Sequence, residues 1–420
     1  EEEPGVKAHL CLVLGRLATR KGFTGMGAFA LAKAALAGGP RGKEAAEQLS
    51  GLEKIIESRL KIVGLVPLSG KLADVGFAVL SGAEVALLQA RQRGADPVPI
   101  LRWVDTGGQP EQAQQEFLAA AQDRSVIGFI GPLTGEEGRS VGVAFGPKSP
   151  PVLYLGQKGI QEKPFLYGFG LSPQTEARAV LSYLRRSGQT DVLLLYPENG
   201  YGKGFAEAVA AAAQETGMRI GKTVSYPPGI RDFTDVIRKA VGPAAFARDS
   251  KSREKGKGMR LRQEAVVIAD RWDRVFLLAS QLRYYNVYLP LAGFSGWNDE
   301  ELIRKAGDAV AGAVFSVDYA DAIPGLGEKF RAEYRDAVRS APSRFEAMGY
   351  DGAMLLVEAY GLNSGEDDRS AGEAVRERIP RLKTFRGVTG SFQFGPSGEM
   401  RRKAFLLRVE LGNFVPVPEL

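Results

Sequence analysis

The chain has 420 residues, of which 44% are hydrophobic and 25% charged, with a formal net charge of +6, one cysteine (Cys11) and one histidine (His9). That length implies two or three domains of the usual ~100–200 residues and a core that needs no disulfide or metal to hold it. A lone cysteine rules out an internal disulfide, and a lone histidine excludes His- or Cys-built metal centres and Ser-His-Asp or Cys-His catalysis.

The first expected element is helical, from about Val6 to Ser58, rich in Ala, Leu, Lys and Glu, with glycine breaks at Gly22, Gly25, Gly38 and Gly39. It reads equally as the last hairpins of a tetratricopeptide-like repeat or as a simple helical cap. Cys11, inside HLCLVL, reads as a buried structural thiol. At Lys61 the pattern changes to short apolar runs alternating with amphipathic segments. Strands are expected at Lys61–Pro67, Ile100–Val104, Val126–Ile130, Pro151–Leu155, Val192–Tyr196, Ala265–Ala269, Leu289–Ala292 and Gly312–Val317. Leu80/Ala83/Leu87, Ala113/Phe117/Ala120 and Ala177/Val180/Leu181/Leu184 mark intervening helices at helical spacing. This alternation implies parallel sheets covered by helices on both faces, in two α/β units, Lys61–Gly170 and Leu171–Val317. Thr384–Pro418, with turn signals at Gly395-Pro396-Ser397-Gly398 and Leu411-Gly412-Asn413, reads as closing antiparallel hairpins.

The run Arg248–Arg262 holds much of the basic excess but no aromatics, so it reads as a solvated loop and no nucleic-acid partner is implied. No apolar run reaches the ~18 residues of a membrane helix. The chain starts Glu1-Glu2-Glu3-Pro4, and the expectation is that a signal peptide has been removed.

The glycine-rich segments do not make nucleotide sites. Gly200-Tyr201-Gly202-Lys203-Gly204 follows a strand but misses the dinucleotide spacing, and Ser69-Gly70-Lys71-Leu72 lacks the P-loop glycine spacing and its Ser/Thr. Gly131–Gly138 (GPLTGEEG) puts Thr134 and backbone N–H groups at a helix start, which is either an anion site or a plain N-cap. In open α/β sheets ligands bind outside the carboxyl ends of the strands. The residues expected there are Ser69, Thr134, Gln157, Lys158, Tyr201, Asp270, Arg271, Trp272, Ser295 and Trp297. They suit recognition of a small polar ligand and supply no acid–base pair or nucleophile, so no enzyme, cofactor or metal is expected. Asp270 and Asp273, beside Arg271 and Arg274, read as ion pairs at a helix start.

IVGLVPLSG, SGAEVALLQA, VDTGGQPEQA, VIGFIGPLTG, YGFGLSPQTEARA, LLLYPENGYGKGF, RDFTDVIRK, EAMGYDGAML and GVTGSFQFGPSGEM occur in the order found in the type I periplasmic binding proteins, in the branch of the leucine/isoleucine/valine-binding proteins, and the chain resembles that family from about Lys61 to Pro418. The resemblance implies an α/β fold of two Rossmann-like lobes joined by a three-crossing hinge, after a short all-helical segment. The implied domains are 1–59 (helical), 60–170 plus 320–386 (lobe one) and 171–317 plus 387–420 (lobe two), with crossings near Gly170–Ser172, Ser316–Ala320 and Arg386–Gly390. It implies a periplasmic or cell-envelope receptor that closes on a small ligand, an amino acid or related small carboxylate, for an ABC-type permease. By resemblance Pro132-Leu133-Thr134 matches the carboxylate-holding loop, Gly156-Gln157-Lys158 the second such loop and Tyr201 the cleft tyrosine. Phe294-Ser295-Gly296-Trp297 falls where amino-acid binders place a glutamate for the α-ammonium. No acid stands there, which leaves Asp270 or Asp318 as substitutes.

The run AVVIADRWDRVFLLASQLRYYNVYLPLAGFSGWND also resembles the lipoprotein branch that activates penicillin-binding proteins and carries N-terminal helical repeats. It implies the alternative of an envelope regulator of peptidoglycan synthesis acting by protein binding, with a penicillin-binding protein as partner. An exposed apolar patch, on the helical segment for example, would distinguish this alternative from a solute receptor.

Overall fold

The computed structural model describes residues 4–156, 163–242, 246, 261–319, 325–361 and 370–418. Gln157, Lys158 and the run Arg248–Arg262 up to residue 260 lie outside them. The chain divides into two compact units, Glu1–Gly170 with Leu326–Arg402, and Leu171–Gly325 with Lys403–Leu420.

The first unit opens with three helices, α1 (Pro4–Arg20), α2 (Thr24–Leu36) and α3 (Gly39–Glu57). They share a small core of Leu12, Leu31, Ala34, Ala45, Leu52 and Ile56, which continues onto Ile100 of the sheet. Cys11 is only half-buried at its margin, because α1 turns Ala8 and Leu12 inward instead. The helices therefore belong to the first unit rather than standing apart as a domain.

The sheet of this unit is β1 (Lys61–Val66), β2 (Ile100–Asp105), β3 (Val126–Ile130), β4 (Val152–Tyr154) and β5 (Leu166–Gly168), in the order β2-β1-β3-β4-β5 with parallel pairing throughout. β1 and β3 are buried along their whole length, as continuous apolar runs in a doubly covered sheet must be. The covering helices include α4 (Ala73–Gln92), α5 (Pro110–Ala121) and α6 (Gly135–Ala144). α4 with its preceding turn is long and apolar enough by length and composition to cross a membrane, but 56% of its apolar window is buried inside the protein, as in a core helix.

The later part of this unit adds α12 (Leu326–Val338), α13 (Arg344–Gly361), α14 (Ala371–Leu382) and a three-stranded sheet, β11 (Thr384–Gly387), β12 (Gly390–Phe394) and β13 (Met400–Lys403). Here the lobe boundary differs from the expectation. Residues 387–402 pack with the first unit, not the second. Asp351 of α13, 1% exposed, accepts hydrogen bonds from Val388 N (2.8 Å), Thr389 N (2.7 Å) and Thr389 Oγ1 (2.6 Å). Arg402 donates to Phe169 O (2.6 Å) and Thr389 O (2.7 Å). Buried charge paired this way fixes the hairpin to α13, so the last division falls at Arg402/Lys403 instead of Arg386–Gly390.

The second unit has β6 (Asp191–Pro197), β7 (Arg219–Tyr226), β8 (Ala265–Ile268), β9 (Leu291–Gly293), β10 (Val314–Val317), β14 (Phe405–Glu410) and β15 (Asn413–Pro416), in the order β15-β14-β10-β9-β8-β6-β7. The strands from β7 to β10 are parallel; β14 and β15 extend the sheet antiparallel. Its helices include α7 (Pro173–Arg186), α8 (Gly200–Thr216), α9 (Thr234–Val241), α10 (Trp272–Tyr284) and α11 (Glu300–Ala306). One cluster of buried side chains lies on each face of this sheet.

Candidate functional site

Each unit gathers polar groups at the carboxyl ends of its parallel strands. In the first, Asp105 at the end of β2 accepts from Leu68 N and Gly107 N, both at 2.8 Å, and so holds the loop that carries Ser69 after β1. Ser69 is exposed, and its hydroxyl makes no hydrogen bond to a described residue. Thr134, after β3, is the N-cap of α6. Its hydroxyl donates to Glu137 Oε2 (2.8 Å) and accepts from Glu137 N (3.3 Å), while Thr134 N donates to the same carboxylate (3.0 Å). The second oxygen of Glu137 accepts from Thr106 Oγ1. This is a capping box, so the hydroxyl of Thr134 serves the helix.

In the second unit the edge is acidic and aromatic. Asp270, after β8, is 5% exposed and accepts from Tyr226 Oη and Arg271 N, both at 2.8 Å. Burial holds its carboxyl above the usual range. Ser295, after β9, donates from its backbone N–H (2.7 Å) and hydroxyl (3.0 Å) to Glu176 in the first turn of α7, and Ser316 of β10 donates to the same carboxylate (2.8 Å). Glu176 is fully buried, and that burial pushes its carboxyl up to about 7. Tyr201, in the first turn of α8, packs its ring at a tilt against Phe205 with centres 4.8 Å apart, and its hydroxyl is buried with no hydrogen-bond partner among the described residues. A Cβ on Gly296 would stand 2.5 Å from that hydroxyl, so only glycine leaves room for the Tyr201 ring. Asp318, just past β10, is 4% exposed and has no hydrogen bond or ion pair to any described residue.

Two expected site residues fall elsewhere. Trp297 is fully buried within the core cluster of the second unit, with its ring under Gly293 and beside Phe315. The short 3₁₀ turn Ser295–Trp297 rotates the indole inward, away from the strand ends. Trp272 packs against the same core, with Lys305 Nζ 4.9 Å from its ring centre, so it braces α10 on α11. Asp273 pairs with Arg274 (3.6 Å), the ion pair expected at that helix start, whereas Asp270 is held by a tyrosine and a backbone N–H instead. Glu176 was not among the expected residues. Its signal is an acid four positions after the N-cap Ser172, the kind of residue ordinarily read as a helix-dipole partner. Among the described residues no group of His, Cys, Asp and Glu could hold a metal ion.

Two α/β units with polar groups at the carboxyl ends of parallel strands define the class of two-lobed ligand-binding proteins. The chain belongs to the periplasmic binding protein family, whose pattern matches residues 59–413. That is a family of binding proteins rather than enzymes. The chain is 22% identical over 375 residues to the Leu/Ile/Val-binding protein BraC3 of Rhizobium johnstonii, covering 84% of this chain and 92% of that one. It is 25% identical over 390 residues to the penicillin-binding protein activator LpoA of Edwardsiella ictaluri, covering 84% of this chain and 53% of that one. A crystal structure from Rhodospirillum rubrum matches with a TM-score of 0.72 at 21% identity, over 86% of this chain and 100% of its own.

Proposed function

We propose that this chain is an extracytoplasmic receptor that captures a small polar solute, an amino acid or related small carboxylate, for an ABC-type permease. The observation that carries this reading is Tyr201. A phenol buried without a partner costs free energy in the protein alone, which a hydrogen-bonding ligand at the strand ends recovers. Ser69, Asp270 and Ser295 stand at other strand ends, and Gln157 and Lys158 join the proposed set by their place after β4. No acid–base pair with a vacant reacting position accompanies them, because Asp270 and Glu176 are saturated by protein donors. The relative from Rhizobium johnstonii, a Leu/Ile/Val-binding protein, supports the solute class. The test is a thermal-shift screen against amino acids, small carboxylates, polyols and muropeptides. A ligand at 100 times its Kd adds about 2.7 kcal/mol of stability. A clear shift with one class supports the receptor and names its solute; no shift with any class removes it.

One observation favours the second reading, a protein-binding envelope regulator. Val6, Leu10, Val13, Leu14 and Leu17 lie 46–54% exposed at helical spacing along one side of α1. Such a stripe is a docking face for another protein, and the relative named as a penicillin-binding protein activator supports that partner. Leu10→Ser with Leu14→Ser should abolish binding to a penicillin-binding protein measured by surface plasmon resonance. Equal binding by the double variant would remove α1 from the contact.

A further inference from the structure

The solvent side of α1 carries a pattern more specific than exposed apolar surface. Val6, Leu10, Val13 and Leu17 follow one another at intervals of four, three and four residues, with Leu14 beside them. That alternation is the spacing of a coiled-coil seam, and the five side chains fall within an arc of about 100°. Ala8, Leu12 and Ala18 are buried on the opposite side of the helix, so the seam is the face α1 has left for a partner. Charge of one sign borders it. Lys7 stands next to Leu14 around the helix and Arg20 next to Val13, and Lys21 follows at the helix end; all three are exposed, with no ion pair to a described residue. Residues 4–21 hold Lys7, Arg16, Arg20 and Lys21 and no Asp or Glu. Among the described residues only Arg16 of these four is paired, with Glu44 of α3.

Resting on the reading of α1 as a protein-docking face, we propose that its seam receives an acidic amphipathic helix of the partner protein. The apolar side of that helix lies along Val6 to Leu17, and its Asp and Glu side chains meet Lys7, Arg20 and Lys21. α1 has 17 residues, about 25 Å of helix, so a partner helix of about four to five turns spans it. A second copy of α1 is a poorer occupant, because it sets cations against cations at both borders. An anionic lipid surface is poorer too. Interfacial helices carry Trp or Phe among the apolar residues of a broad face, and this narrow seam holds neither.

The test is fluorescence anisotropy of the whole chain with two labelled helical peptides of about 18 residues. The peptides share leucines at the seam positions and carry either Glu or Lys at the flanking ones. The expected result is that the Glu peptide binds about tenfold tighter or better at low ionic strength, with the difference shrinking as salt is added. Lys7→Glu with Arg20→Glu, at exposed positions the fold does not use, should reverse the preference. Leu10→Ser with Leu14→Ser should remove binding of both peptides. Equal affinity, binding of neither peptide, or a preference for Glu that survives the charge reversal overturns the inference. Two further arms name the other occupants. Capture by phosphatidylglycerol vesicles that needs Leu10 and Leu14, with neither peptide bound, overturns it in favour of a lipid surface. A dimer in sedimentation that the double serine variant dissolves, with neither peptide bound, overturns it in favour of a second copy. A penicillin-binding protein whose binding needs Leu10 and Leu14 but ignores the charge reversal overturns the acidic helix while the docking reading stands. If that protein fails to bind and the Glu peptide is still preferred, that partner falls and the acidic helix stands.

Discussion

Glu176 accepts two hydrogen bonds from Ser295, one from its backbone N–H at 2.7 Å and one from its hydroxyl at 3.0 Å, although 119 residues separate the two in sequence. The pair ties the first turn of α7 to the loop after β9, next to the glycine against which the Tyr201 hydroxyl rests. Ser316 adds a third bond to the same carboxylate. The edge on which a solute would land is therefore set by a buried acid that need not touch the solute.

That acid makes stability depend on pH. Burial raises Glu176 and Glu84 from the ordinary 4.5 to about 7 each, and Asp351 from 3.8 to about 6. Each takes up its proton more readily folded than unfolded. The stabilisation this confers is complete below the unfolded value and is lost as pH rises through the folded one. A shift from 4.5 to about 7 corresponds to roughly 3 kcal/mol per group. Between pH 5 and 8 the urea midpoint should fall, and Glu176→Gln with Glu84→Gln should flatten the slope. Asp123 and Glu373, held below their usual range, act oppositely and only in more acid solution. A midpoint that stays level or rises across pH 5–8 would contradict the assignment.

Trp297→Ala should cost about 3–5 kcal/mol, as large aromatic truncations in cores do. The indole is fully buried among Phe315, Leu302 and Val317, and its Nε1 has no hydrogen-bond partner among the described residues. For that last reason Trp297→Phe should cost less than half as much, since it removes the unpaired N–H along with part of the ring. Thermal melts of both variants test this, and a Trp297→Ala melt matching the parent would return the residue to the ligand edge.

Much of this fold is legible in the residues themselves. β1, β3, β6 and β8 are unbroken apolar runs, and the Thr134–Glu137 spacing spells a capping box. β7 is not legible, because Arg219 and Lys222 interrupt an edge strand that is mostly accessible. The lobe boundary is hidden because it depends on Asp351 meeting Val388 and Thr389 across 37 and 38 residues. Position after a strand nominated both Trp297 and Tyr201, and only the turn geometry separates the core side chain from the one at the edge.

Tyr201→Phe should leave stability unchanged or slightly raised, because the hydroxyl it removes makes no hydrogen bond among the described residues. Affinity for whichever solute the screen identifies should fall by about tenfold, the value of one hydrogen bond. Tyr201→Ala should lose more, together with the ring contact to Phe205. Unaltered affinity in both variants would separate Tyr201 from the solute.

The last expectation concerns how the helical segment is held. Glu84, in the middle of α4, reaches the start of α2, where its Oε1 accepts from Met26 N (2.9 Å) and from Trp103 Nε1 (3.2 Å). Phe29, Phe77 and Trp103 close an aromatic cluster around this contact, with ring centres 5.5–5.7 Å apart. Gly25 lies so close to the Leu101 carbonyl and Trp103 that a Cβ there has no space. Gly25→Ala should therefore lift α2 from β2 without touching the parallel sheet. Limited proteolysis should then cut within residues 4–57 while the remainder resists. A digestion pattern unchanged from the parent would show that the docking tolerates the methyl group and that the aromatic cluster alone holds the helices.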